Sequence, residues 1–452
     1  MCPAGPPRPP TLDRSPLGIP ILVFLVVFAV HVQSPVITSY DSRWTIYTAM
    51  SLVRHANLDL DEYADLIRRD AGYGTERVGG HIYSVYPVGP VLLAAPLVGL
   101  ADLACRRLCP EDLDRVLRER PGAHGRLERL VASLVVAATA TLVYRIGRLR
   151  LDGVAPALLL AGIFAFGTSA WSTASRGLWQ HGPSMLMLAL ALALILGARD
   201  RPELIQYAAL PLVGAYLMRP TNFVSVLLLS LYVLRRHRRY AARYALGGVL
   251  ILVPFLALNM ATYGWPLSTY YRAGIAGLER GDHVGQALVG TLVSPGRGLF
   301  VYSPVLLFAM AGAVAGLRGP RRHELHAWLV AIIVLHWLTI SSFRSWWGGH
   351  AYGPRLFADV LPYLVYFLIP VTGVLWSSEA TGAGRRRRRG LLAGVFGLSV
   401  ALSVLVHGRG ALSPSGYAWN GSPVDVDRAP ARLWDWRDPP FLRGVAGRPA
   451  PG

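Results

Sequence analysis

An all-α, polytopic membrane protein is the fold class this chain predicts, and three observations lead to it. Its 452 residues are 53% hydrophobic and only 16% charged, with a mean hydropathy of +0.39. Apolar runs long enough to enter or cross a bilayer recur from near the N-terminus to residue 407. Short basic clusters separate many of these runs, the footprint of cytoplasmic loops under the positive-inside rule. All 45 basic residues are Arg, and the formal net charge is +19. Charge dispersed between apolar runs does not point to nucleic acid, so no nucleic-acid partner is expected.

The first apolar run, 17–33, follows a Pro-rich head, 1–16, that reads as disordered. Arg8 and Arg14 ahead of it imitate a secretory signal, but no small-x-small site follows, which favours an uncleaved helix with its N-terminus inside. Cys2, Cys105 and Cys109 make no disulfide framework. Cys105 and Cys109 have no His or further Cys nearby to complete a metal site.

The C-terminal half sets the topology. Basic clusters at 235–239, at Arg318 with Arg321 and Arg322, and at 385–389 belong in the cytoplasm. The runs 244–262 and 299–317 then go out and back, as do 326–343 and 356–376, and 391–407 leaves the aromatic tail 408–452 outside. In the N-terminal half, 84–104 is best read as interfacial, because Pro87, Pro90 and Pro96 weaken it as a span. The spans 128–147, 154–171, 182–198, 204–218 and 223–234 then put Arg145, Arg148 and Arg150 inside. A competing solution fuses 204–234 into one span; Arg219-Pro220-Thr221-Asn222 is a good break and favours two. About eleven spans result, within a range of roughly ten to thirteen. They form a membrane domain over 17–407 with a first extracytoplasmic loop over 34–127. Within that loop Leu60, Tyr63 and Ile67 predict an amphipathic surface helix over 57–70.

Arginines left on the outer side run against the positive-inside trend and need a reason. Arg43, Arg176, Arg219, Arg297, Arg344 and Arg355 are each embedded among aromatic, Gly or Pro residues. One reading is a pocket that binds phosphate through guanidinium forks; the other is snorkelling to lipid headgroups. Asp41, in Tyr40-Asp41-Ser42-Arg43-Trp44 just beyond the first helix, reads either as a cap or partner of Arg43 or as a general base at a pocket lip. His81, His181 and His350 share the outer face, and His181 stands out through Trp179-Gln180-His181-Gly182-Pro183. No Walker loop, His-Glu helix pair or nucleophile elbow is present, which argues against an ATP-driven pump, a metalloprotease or a serine hydrolase.

These features together resemble the GT-C glycosyltransferases, in particular bacterial relatives of the protein O-mannosyltransferases and aminoarabinose transferases. The resemblance rests on Asp41 in the first outer loop, Tyr86-Pro87-Val88-Gly89-Pro90, the stretch 179–183, Ser294-Pro295-Gly296-Arg297-Gly298 leading into Tyr302-Ser303-Pro304, and Trp346-Trp347-Gly348-Gly349 through Gly353-Pro354-Arg355. It spans nearly the whole chain. The resemblance implies a plasma-membrane enzyme that moves a sugar from a polyprenyl-phosphate donor to a glycan, lipid or protein acceptor outside the cell. Asp41 would act on the acceptor hydroxyl. Arg355, His181, Arg219, Arg176 and Arg297 would hold the phosphate, with Arg43, His81, Tyr86, Gln180, Trp347, His350 and Tyr352 as further substrate contacts. The chain departs from the family where Ser42 follows Asp41 in place of a second acid, and where Gln180-His181 replaces the acid of the second outer loop. No metal ligand is assigned, and a divalent ion stays open as a cofactor. A transporter or flippase of a lipid-linked solute is the alternative from another class, although no internal repeat supplies its two halves. A non-catalytic assembly subunit is the other.

Overall fold

The computed structural model describes residues 17–38, 40–108, 110–271, 281, 283–318, 323–377 and 383–445. The head 1–16, Ser39, Cys109, and Arg321 with Arg322 lie outside the described residues. Helix makes up 73% of the described residues. Five helices are long and apolar enough to cross a membrane: Ala123–Arg148, Arg238–Tyr263, Glu324–Ser341, Arg355–Trp376 and Gly384–Leu412. Shorter apolar helices, among them Gly18–Gln33, Val154–Phe166 and His181–Gly197, stand beside them.

The bundle is built around α6 (Ala123–Arg148), which packs against α1 (Gly18–Gln33), α7 (Val154–Phe166) and α8 (His181–Gly197). Its buried face carries Ala132, Ala137 and Ala140, and small side chains let helix backbones approach closely where water does not drive association. The main core joins Tyr144, Phe164, Leu188 and Leu192 to Tyr363, Leu364 and Phe367 of the Arg355–Trp376 segment.

The first loop has a core of its own. Trp44, Ile46, Tyr47 and Met50, at and within α2 (Thr45–His55), pack with Val91, Ala94 and Val98 of α4 (Gly89–Leu108) and with Leu60, Tyr63 and Ile67. The predicted apolar stripe is therefore buried, but the helix expected over 57–70 is shorter, a 3₁₀ turn at Asp61–Tyr63 followed by α3 (Ala64–Arg69). An antiparallel hairpin, β1 (Thr75–Val78) and β2 (His81–Ser84), interrupts the all-helical plan. Gly79 and Gly80 close it with φ of 60° and 94°, the positive angles a tight hairpin turn requires. α4 runs unbroken for 20 residues with Pro96 inside it and lies against α2 in this secondary core, and the short α5 (Leu113–Glu119) follows it.

Between α9 (Ala209–Met218) and α10 (Phe223–Arg236) the backbone at Arg219 is extended, with φ −152° and ψ 109°. The run 204–234 is thus broken at Arg219, because Pro220 disfavours helical geometry in the residue before it. α11 (Ala241–Tyr263) follows. Between the apolar runs 244–262 and 299–317 the structure adds a further apolar helix, His283–Val293. Beyond the last long helix, Ala383–Leu412, the tail folds back, and Trp419, Val426 and Leu433 form a core with Ala287, Trp346 and Trp347.

Candidate functional site

At one end of the bundle the first loop, the 178–181 turn, the Arg219 break, the 343–356 segment and the tail enclose a cavity of about 1020 Å³. Its wall includes Asp41, Tyr73, Tyr86, Trp179, His181, Arg219, Tyr271, Arg344, Arg355 and Tyr417.

Asp41 sits in the turn that leads into α2, where it is held from two sides. Its Oδ1 accepts from the Tyr73 hydroxyl at 2.8 Å and its Oδ2 from Arg355 Nη2 at 2.7 Å. Burial pushes the carboxyl upward, but the Arg355 charge and hydrogen bonds from Tyr73, Arg355 and Tyr86 outweigh it and hold Asp41 below its ordinary value. Burial and the adjacent Asp41 push the Tyr73 phenol up to about 12, so it stays a donor. The Arg355 guanidinium lies 4.0 Å from the centroid of the Trp179 ring, which orients the fork. Its Nε is buried without a hydrogen-bond partner among the described residues.

The wall carries a second ionic group. Arg219 Nη1 donates to Asp359 Oδ2, and His181 Nδ1 lies 3.4 Å from Asp359 Oδ1. Asp359 is fully buried, and a buried carboxylate persists only with such partners. The arrangement differs from the open nest of cations that the sequence suggested, since Arg355 and Arg219 are each matched by a carboxylate. Gln180 also faces the cavity, accepting from Tyr271 Oη at 2.7 Å, and His350 stands at the rim 3.0 Å from Asp425.

Comparison with known proteins finds no family model and no curated sequence that matches the chain. The geometry alone therefore carries the functional reading.

Several expected site residues do not reach the cavity. Arg176 is fully buried and directs its donors to the carbonyls of Trp171, Ser34 and His31 and to Ser175 Oγ. Arg297 spends its guanidinium on the carbonyls of Trp347, Gly296 and Gly349 and on Asn420. A guanidinium has five N–H donors, and with most of them given to loop carbonyls and side-chain oxygens each of these arginines staples loops and presents no fork to a phosphate. Arg43 pairs with Asp70 at 2.8 Å between the rings of Tyr40 and Trp44. His81 is exposed beside Asp61 at 2.6 Å. Trp347 donates to Asp427 at 2.6 Å, and Tyr352 is buried with its hydroxyl on Val406 O. None of these six residues lines the cavity.

Two buried acids escaped the sequence reading. Asp359 is a carboxylate four residues after Arg355 inside an apolar run, a signal open to notice. Glu128 opens the apolar part of α6, where its Oε1 accepts from Ser42 Oγ and, at 2.6 Å, from Leu178 N. It ties the Asp41 turn to the loop that presents Trp179 and His181.

Two groups among the described residues have metal-ligand chemistry, Asp59 with Asp61 and His81, and His350 with Asp425 and Asp427. In each, ligating atoms lie within 4.8 Å of one another. The second group lines the cavity rim, and one imidazole with two carboxylates is a donor set that suits zinc or manganese. Neither includes Asp41, so a divalent ion fits the tail better than the carboxylate expected to do chemistry.

Proposed function

We propose that this protein is a GT-C-type glycosyltransferase of the plasma membrane, using a polyprenyl-phosphate sugar as donor and an acceptor hydroxyl on the extracytoplasmic side. In this reading the apolar helices supply about eleven spans, the Arg-rich helix ends face the cytoplasm, and the large cavity opens outward. The observation that carries the reading is Asp41 bonded to Arg355 at 2.7 Å on the wall of a cavity of about 1020 Å³. A base and a phosphate-binding fork stand there side by side.

The step is an inverting displacement. The acceptor oxygen forms a bond to the anomeric carbon, the bond from that carbon to the phosphate oxygen breaks, and Asp41 takes the acceptor proton. Negative charge then grows on the departing polyprenyl phosphate, where Arg355 and Arg219 stabilise it, with His181 beside them. The pairing of Asp41 with Arg355 supplies an order of events. A donor phosphate competes with Asp41 for the Arg355 fork. As the guanidinium turns to the phosphate, Asp41 loses the charge that lowers its proton affinity and becomes the stronger base.

Incubation of the purified protein in lipid with radiolabelled polyprenyl-phosphate sugars and candidate acceptors tests the proposal. Glycosyl product is expected from the wild type and not from Asp41→Asn; turnover retained in that variant removes Asp41 from the chemistry. A transporter reading has less support, since the two described cavities, one at each end of the bundle, share no lining residue.

A further inference from the structure

A second cavity, of about 320 Å³, lies at the end of the bundle opposite the candidate active site. Arg150 follows α6, Arg199 follows α8, Arg236 and His237 end α10, and His323 caps the helix Glu324–Ser341; all five line this space, with Tyr232. No carboxylate is in its wall. The neighbouring acid Glu324 is held by Arg235 at 3.0 Å, outside the lining. Among the described residues no ion pair forms to Arg150, Arg199 or Arg236.

Like charges converging on one concavity repel unless an anion joins them. The two imidazoles register this field. Burial and then Arg236 depress His237, while burial and then Arg150, His326, Arg199 and Arg236 depress His323. The positive-inside rule accounts for arginines at this end in general, and Arg238, Arg239 and Arg385 to Arg388 stand exposed without lining either of the two cavities described. It does not account for three guanidiniums turned toward one space between four helix ends. Ile195, Leu196 and Leu325 form an apolar side to the same space.

We infer that this cavity is a binding site for a phosphate group, gripped by Arg150, Arg199 and Arg236, with the N-terminus of the Glu324–Ser341 helix adding its partial positive charge. The phosphate belongs either to the headgroup of an anionic phospholipid seated between the helix ends or to a free phosphate from the aqueous side.

The test uses the full chain purified in an uncharged detergent, with binding read from the shift in unfolding temperature across a titration. One arm adds short-chain phosphatidylglycerol against phosphatidylcholine of the same chain length. The other adds inorganic phosphate against chloride at equal ionic strength. The double variant Arg199→Gln/Arg236→Gln changes two exposed side chains of the site and should fold; Arg238→Gln/Arg239→Gln removes the same charge nearby. The wild type is expected to bind one probe, the site variant about tenfold more weakly, and the control variant within about twofold of wild type. Selective binding of phosphatidylglycerol assigns a lipid headgroup, and binding of inorganic phosphate assigns a soluble ligand. Failure of both probes, or equal weakening by the control pair, overturns the inference.

Discussion

Asp41 and Arg355 are 314 residues apart in the chain and meet at 2.7 Å. This contact closes the first loop onto the segment after the Trp-Trp-Gly-Gly stretch and leaves a carboxylate and a guanidinium facing the same space. Their mutual dependence gives a first prediction. Arg355→Gln should lower turnover about 10²- to 10³-fold through lost charge stabilisation. The sign of its effect on pH dependence is also set. With Arg355 present, the folded value of Asp41 lies below 3.8, so the ion pair's contribution is complete above that pH and is lost as pH falls through the depressed value. Without Arg355, burial is less opposed and the value rises. The acid limb of the residual activity should therefore move to higher pH, and an unchanged limb separates Asp41 from the titration.

Arg219 and Asp359 form a pair with Asp359 fully buried. Removing one member strands the other, so Asp359→Asn should cost about 3–5 kcal/mol of stability. Arg219→Gln combined with Asp359→Asn should recover part of that loss. Thermal unfolding of both single variants and the double variant in detergent measures the coupling. Additive losses would separate the two residues.

Glu128 serves Ser42 and Leu178 through a single oxygen. Glu128→Gln keeps an acceptor there and should preserve most stability and turnover. Glu128→Ala removes the acceptor that Ser42 and Leu178 share, strands the buried Leu178 N–H at about 1–3 kcal/mol and lets the Asp41 turn and the Trp179 loop part. Unfolding temperature with parallel turnover assays compares the two; equal damage from both would place the need on the charge.

Gly353 has φ of +71°, and a Cβ built on it would come within 2.6 Å of the Tyr302 ring. Positive φ disfavours any L side chain and the ring leaves no space, so Gly353→Ala should lose about 1–3 kcal/mol and displace the adjoining Pro354-Arg355. Thermal unfolding reads the first effect. A rise in donor KM above any change in kcat reads the second.

Much of the helical plan is legible because apolar length and Arg clustering are local properties. The runs at 17–33, 182–198 and 326–343 correspond to Gly18–Gln33, His181–Gly197 and Glu324–Ser341 within two residues at each end. The break at Arg219 follows from Pro220, the next residue. The hairpin was less visible, since four-residue strands carry too few side chains for a period to show, although Gly79-Gly80 marks its turn. α2 was missed because its buried face is completed by α4 and by residues 60–67, and its own pattern is short.

The site divides along the same line. By itself the sequence determined an Arg-rich, mostly helical membrane protein and singled out Asp41, Arg355, Arg219 and His181, because charges set among apolar residues are costly enough to be conspicuous. Only the tertiary structure decided that Arg176 and Arg297 clamp carbonyls while Arg355 and Arg219 face a cavity, and that Asp359 and Glu128 belong with them. A guanidinium looks the same in sequence whether its donors meet a carbonyl, a carboxylate or open space. That choice rests on partners more than a hundred residues away, such as His31 for Arg176 and Asn420 for Arg297.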